Sequence, residues 1–171
     1  MRSPFEKIRN RLDAIYRDGP YFSRVKASLM VAFGAVLLGL MPVSMVKVLW
    51  LQPPHYGDRI LTAAIVWLGT LLAMHRLFQG RLAAAGNLIS TAVVVPLNFA
   101  VLLPHIPVEP VGTAVSMFIF GIVGLLAALT FASRRVAAAL MLIQVAGQIA
   151  IYCWGLRVTP LPGTLQFTSA T

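Results

Sequence analysis

Cysteine occurs once in the 171 residues, at Cys153. That excludes an intramolecular disulfide, a CxxC redox pair and a cysteine-built zinc site. Acidic residues are almost as scarce: Glu6, Asp13, Asp18, Asp58 and Glu109 are the whole complement. None falls inside a long apolar run. Proton-coupled transport, metal transport and intramembrane hydrolysis normally keep an ionisable group in the membrane interior, so this scarcity argues against all three. Charged residues of both signs make up 11% of the chain, against about 25% in a soluble domain. The three histidines, His55, His75 and His105, form no i, i+4 pair that could share a metal or a haem. A P-loop, GxGxxG, HExxH and GxSxG are also missing. No metal, no cofactor and no catalytic residue is expected.

What the chain has in quantity is apolar surface: 58% hydrophobic residues and a mean hydropathy of +0.82. The apolar residues gather into runs at about 27–50, 59–78, 82–103, 111–133 and 136–156. Each is near the ~20 residues that a helix needs to cross a hydrocarbon core of ~30 Å. The fold class predicted from this pattern is all-α, a polytopic membrane helix bundle of five transmembrane helices behind an N-terminal amphipathic cytoplasmic helix. The first run does not read as a cleaved signal peptide: a charged 26-residue segment precedes it, it is too long, and no A-x-A site follows.

The net charge is +9, but the basic residues lie between apolar runs rather than in an aromatic-laced patch, so nucleic acid is not an expected partner. Their distribution sets the orientation instead. Eleven of the 14 fall in the N-terminal segment, in the 75–82 connection (Arg76, Arg81) and in the 133–135 turn (Arg134, Arg135); Lys47, Arg59 and Arg157 fall on the other side. The positive-inside rule then puts the N-terminus in the cytoplasm. The expected organisation is a cytoplasmic basic segment at 1–26, the bundle at 27–156 and an extracytoplasmic tail, or interrupted loop, at 157–171. Trp50, Tyr152 and Trp154 suit an outer aromatic belt, and Lys47 is expected to snorkel toward it. Trp67, in mid-run, does not fit that belt. Gly39 with Pro42 predicts a kink in the first long helix.

The lead-in "SPFEKIRNRLDAIYRDGP" carries a helix-start signature, with Ser3 as cap, Pro4 in first position and Glu6 three residues after Ser3. Phe5, Ile8, Leu12, Ile15 and Tyr16 make one apolar stripe, and Gly19-Pro20 ends the helix. Two roles fit that stripe: lying on the inner leaflet or on a partner helix, or covering the inner end of the bundle.

Inside the runs the polar residues are amides and hydroxyls. Asn87, Ser90, Thr91 and Asn98 fall within about 100° of one helix face, with Pro96 nearby; Gln144 and Gln148 are one turn apart, with Gly147 and Tyr152 on the same side. They serve either as hydrogen-bonding glue between helices, worth about 0.6–2 kcal/mol each, or as the lining of a pocket for a small apolar or amphipathic ligand. Asn87, Ser90, Thr91, Asn98, Gln144, Gln148 and Tyr152 are therefore the candidate ligand-binding residues.

The layout "FSRVKASLMVAFGAVLLGL", then "HRLFQGRLAAAGN", then "FASRRVAAAL" resembles the N-terminal six-helix membrane domain of bacterial signalling receptors. There a multi-helix sensor or anchor is joined to a cytoplasmic histidine kinase, diguanylate cyclase, serine phosphatase or class III adenylyl cyclase. The resemblance covers residues 1 to about 165 and lies in layout and turn composition. It implies a homodimeric, multi-pass sensor or anchor in the bacterial inner membrane, with the lipid bilayer as partner. Such a module relays a ligand or the membrane state to an output domain that this chain lacks, together with the sixth helix. No enzymatic activity is expected within residues 1–171. Two other readings stand beside it: a substrate-binding membrane subunit of a small-molecule importer, and a structural subunit of a membrane complex.

Overall fold

The computed structural model describes residues 4–17, 19–53, 56–102 and 110–158. They form six helices in the order α1 (Pro4–Ile15), α2 (Tyr21–Leu51), α3 (Tyr56–Phe78), α4 (Leu82–Leu102), α5 (Pro110–Phe131) and α6 (Arg134–Val158). Among the described residues there is no strand. Each apolar run thus sits on its own helix, within a few residues of the predicted ends. The largest difference is at α2, which begins six residues before its apolar run. Pro20, at φ −58° and ψ 146°, fixes the chain just ahead of Tyr21, and the helix starts at that backbone stop rather than where hydropathy rises. At 31 residues and 1.5 Å per residue it is about 46 Å long, and it runs through Gly39 and Pro42 without a break.

Two helices, α2 and α3, are long and apolar enough to cross a membrane; α4 and α5 contribute shorter apolar stretches at Leu82–Pro96 and Gly121–Phe131. The expected five helices are present, and two of them meet that requirement among the described residues.

The two fully described connections, α3–α4 and α5–α6, are short enough to make the helices that they join antiparallel. The α3–α4 link, residues 79–81, is a Schellman turn. Arg81 N–H donates to the Arg76 carbonyl (3.1 Å) and Gly80 N–H to that of Leu77 (3.0 Å). Gly80 has φ +79°, a left-handed conformation that a side chain would strain. The α5–α6 link is only residues 132–133, closed by Ala132 N–H on Ala128 and Ala137 N–H on Ser133.

The central element is α4, packed against α3, α5 and α6, while α2 lies against α3. Ala85, Ile89, Val93 and Val94 of α4 are buried, along with Met30, Ala73, Leu77, Ala127 and Phe131 around them. The outside of the bundle is apolar as well: Val36, Val43, Val46 and Trp50 on α2, Leu61 and Leu68 on α3, Leu126 and Leu129 on α5, and Leu142, Val145 and Ile149 on α6 are exposed. A water-soluble monomer keeps contiguous exposed apolar patches to a few hundred Å².

Helix α1 packs across one end of this bundle. Its predicted cap, Ser3, lies outside the described residues. Leu12 and Tyr16 are buried in the main core cluster, and the Tyr16 hydroxyl donates to the Leu77 carbonyl at 2.8 Å. That carbonyl also accepts Gly80 N–H, so one oxygen joins the lead-in to the α3–α4 turn. Arg24 of α2 donates to the Tyr16 carbonyl (3.0 Å) and to that of Arg17, and the Arg11 guanidinium stands 5.7 Å from the centre of the Phe78 ring. Burial raises the Tyr16 phenol above its ordinary 10.0, because the buried oxygen is poorly solvated as an anion. The C-terminal half of the stripe thus covers the end of the bundle.

Candidate functional site

Buried polar side chains among the described residues are Thr70, Ser90, Asn98 and Gln144, all uncharged. Thr70 satisfies itself on the carbonyl one turn back, Val66, at 2.7 Å. The other three join α4 to the α5–α6 hairpin. The Ser90 hydroxyl donates to the Ala127 carbonyl of α5 at 3.3 Å. Asn98 Nδ2 donates twice, to Val94 O one turn back and to Gln144 Oε1 of α6, each at 2.8 Å. Nearer the turn, the half-buried Asn87 accepts Ser133 N–H at 2.7 Å, which supplies a partner at the start of α6. The polar stripe of α4 therefore makes one bond to the hairpin turn, one to α5 and one to α6.

Two glycines make the room for the buried pair. A Cβ on Gly147 would lie 2.2 Å from Asn98 Oδ1, and one on Gly121 would lie 2.1 Å from Gln144 Nε2. A Cβ at either position would force the amide aside, and with glycine there the two amides rest against bare helix backbone.

The remaining candidates are placed differently. Thr91 is half-buried on α4 and makes none of these bonds. Gln148 lies one turn beyond Gln144, and its Nε2 is buried with no hydrogen-bond partner. Tyr152 is on α6, but its side chain lies outside the described residues. The side chain of Trp154 and the tail beyond Val158 do as well. The structure thus brings together Asn98 and Gln144, with Gln148 on the next turn, and ties Asn87 and Ser90 to other parts of the hairpin.

Trp67 is legible in the sequence only as a misfit to the aromatic belt. Its indole Nε1 donates to the Leu38 carbonyl of α2 at 3.3 Å. Leu38 is four residues before Pro42, so its carbonyl is the one that loses its helical donor to the proline. The available signal is a proline inside an apolar run with an unplaced mid-run tryptophan on the next helix. On the far end of α2, Lys47 lines an open surface groove with Val43, Val46, Trp50 and Leu51, its stem among apolar neighbours.

Chemically the buried polar set offers hydrogen-bond donors and acceptors and, among the described residues, nothing that titrates near neutrality. Nor do any three His, Cys, Asp or Glu side chains among them come together to hold a metal. Compared with protein-family models, curated proteins and solved structures, the chain finds no match.

Proposed function

We propose that this chain is the membrane-embedded sensor or anchor module of a bacterial signal-transduction protein, with α2 to α6 as five membrane crossings and α1 on the cytoplasmic side. The observation that carries the reading is the buried Asn98–Gln144 bond, an uncharged polar contact between two helices inside an apolar girdle. Such a contact can be remade when helices shift, and it brings no charge of the kind that drives transport. The end of the bundle capped by α1 also carries Arg11, Arg17, Arg24, Arg76, Arg81, Arg134 and Arg135, which favours that end as the cytoplasmic one. The likeness to receptor membrane domains rests on sequence layout. It supplies the homodimer, the inner-membrane location and the relay to an output domain beyond residue 171.

Two measurements test it. Reporters fused at Gly80 and after Thr171 should be cytoplasmic and extracytoplasmic respectively; cytoplasmic activity at both positions overturns the five-span topology. The reading frame beyond Thr171 should encode a sixth apolar run and a heptad linker. A stop codon there overturns the signalling role and leaves the topology standing.

A further inference from the structure

Gln148 is the exception among the interior amides. Asn98 and Gln144 are turned to each other and Ser90 has its carbonyl, yet Gln148 Nε2 is buried with two N–H groups and no acceptor. A buried amide without a partner is costly and calls for an explanation. Its chemistry restricts what could satisfy it. Nε2 only donates, so the missing group is an acceptor. An anion would enter a place where the buried polar residues are all uncharged, and nothing there would compensate its charge. A lone water needs two to four polar partners. Among the described residues Nε2 is the one buried side-chain polar atom without a partner, so a water there would meet a single protein group in need of it, and the buried cluster formed where α4, α5 and α6 meet, Val94, Ala128 and Leu140, is apolar.

We infer that Gln148 marks a binding site on α6, one turn beyond Gln144, for an uncharged lipid-soluble carbonyl compound, whose oxygen accepts from Nε2 while its apolar body lies along the helix. This rests on the membrane placement proposed above, because such a ligand arrives from the hydrocarbon phase. The site is one helical turn from the Asn98–Gln144 bond, so an occupant would press on the contact that sets α6 against α4.

The test uses the full chain purified in detergent, with 2-undecanone labelled with carbon-13 at the carbonyl as the probe and undecane as the control. Saturating ketone should raise the unfolding temperature by about 2–4 °C, and undecane should not. The labelled carbonyl stretch should move to lower wavenumber. In Gln148→Met, which keeps the volume and removes the donor, ketone affinity should fall roughly tenfold and the infrared shift should vanish. Without ketone, Gln148→Met should unfold no lower than wild type, in contrast to Asn98→Leu and Gln144→Leu. Equal shifts with ketone and undecane, unchanged ketone binding in Gln148→Met, or a lower unfolding temperature for that variant without ketone would each overturn the site. If the reporters give five spans and the ketone fails, the site alone is lost. If the reporters fail, the membrane reading goes first.

Discussion

At the scale of single residues, the contacts that carry most information are those where one side chain repairs what another removed. Pro42 deprives the Leu38 carbonyl of its donor, and the Trp67 indole supplies another from α3. Trp67→Phe should therefore destabilise the chain by about 1 kcal/mol beyond the effect of the smaller ring. In a Pro42→Ala background the backbone N–H restored at that position serves the same carbonyl, and that excess should disappear. A double-mutant cycle read by unfolding in detergent isolates the coupling, expected within the range of about 0.6–2 kcal/mol for interhelical bonds in membranes. Additive effects would mean that the indole is there for packing alone. Gly86 gives a second test. A Cβ there would stand 2.0 Å from the Phe131 backbone oxygen, and backbone cannot rotate aside as a side chain can. Gly86→Ala should force α4 and α5 apart and cost at least about 1–3 kcal/mol, seen as a lower unfolding temperature, whereas alanine at Gly39, with nothing within 4 Å, should be tolerated.

At the scale of elements, the helices were legible in the sequence and their partners were not. Apolar runs separated by "LQPPHYGD", "HRLFQGR" and "SRR" announce helices joined by turns, because proline, glycine and charge all interrupt an apolar helix. Which amide meets which depends on rotation and axial shift between helices far apart in sequence. Asn98 and Gln144 could be named as members of polar stripes but not as a pair. For α1, Leu12 and Tyr16 stood out as part of the apolar stripe, while the Leu77 carbonyl that fixes Tyr16 belongs to a backbone turn 61 residues away, which no side-chain pattern reveals. This docking predicts a pH dependence. The Tyr16 phenol is raised in the folded chain by burial; below pH 10 it is neutral whether α1 is docked or free, so docking is at full strength. Above pH 10 the undocked phenol ionises first, and docking is lost progressively as pH rises toward the folded value. Limited proteolysis at Arg17 should therefore accelerate above pH 10. In Tyr16→Phe that alkaline step should vanish, and protection at neutral pH should fall by about 0.5–1.5 kcal/mol for the missing bond.

At the scale of the whole molecule, the decisive quantity is what covers the outer surface. Val36 near the middle of α2 and Val145 near the middle of α6 are both exposed. On a surface in water, aspartate at either position would change stability by within about 0.5 kcal/mol and would improve solubility. In the centre of a bilayer-spanning helix the same substitution costs about 2.5–3.5 kcal/mol of insertion free energy. Val36→Asp examines a helix that meets the length and apolarity requirement by itself. Val145→Asp examines α6, whose Gln144 and Gln148 dilute its apolar character and whose proposed crossing would depend on neighbours that bury Gln144. Both variants should lower the carbonate-resistant membrane fraction and raise turnover, and aspartate at the exposed Arg135, outside the girdle, should do neither. A loss confined to Val36→Asp would reduce the membrane anchor to the α2–α3 hairpin, with α4, α5 and α6 forming a body outside the bilayer. The Asn98–Gln144 pair would then be an ordinary core contact, and a ligand reaching Gln148 would come from water rather than lipid.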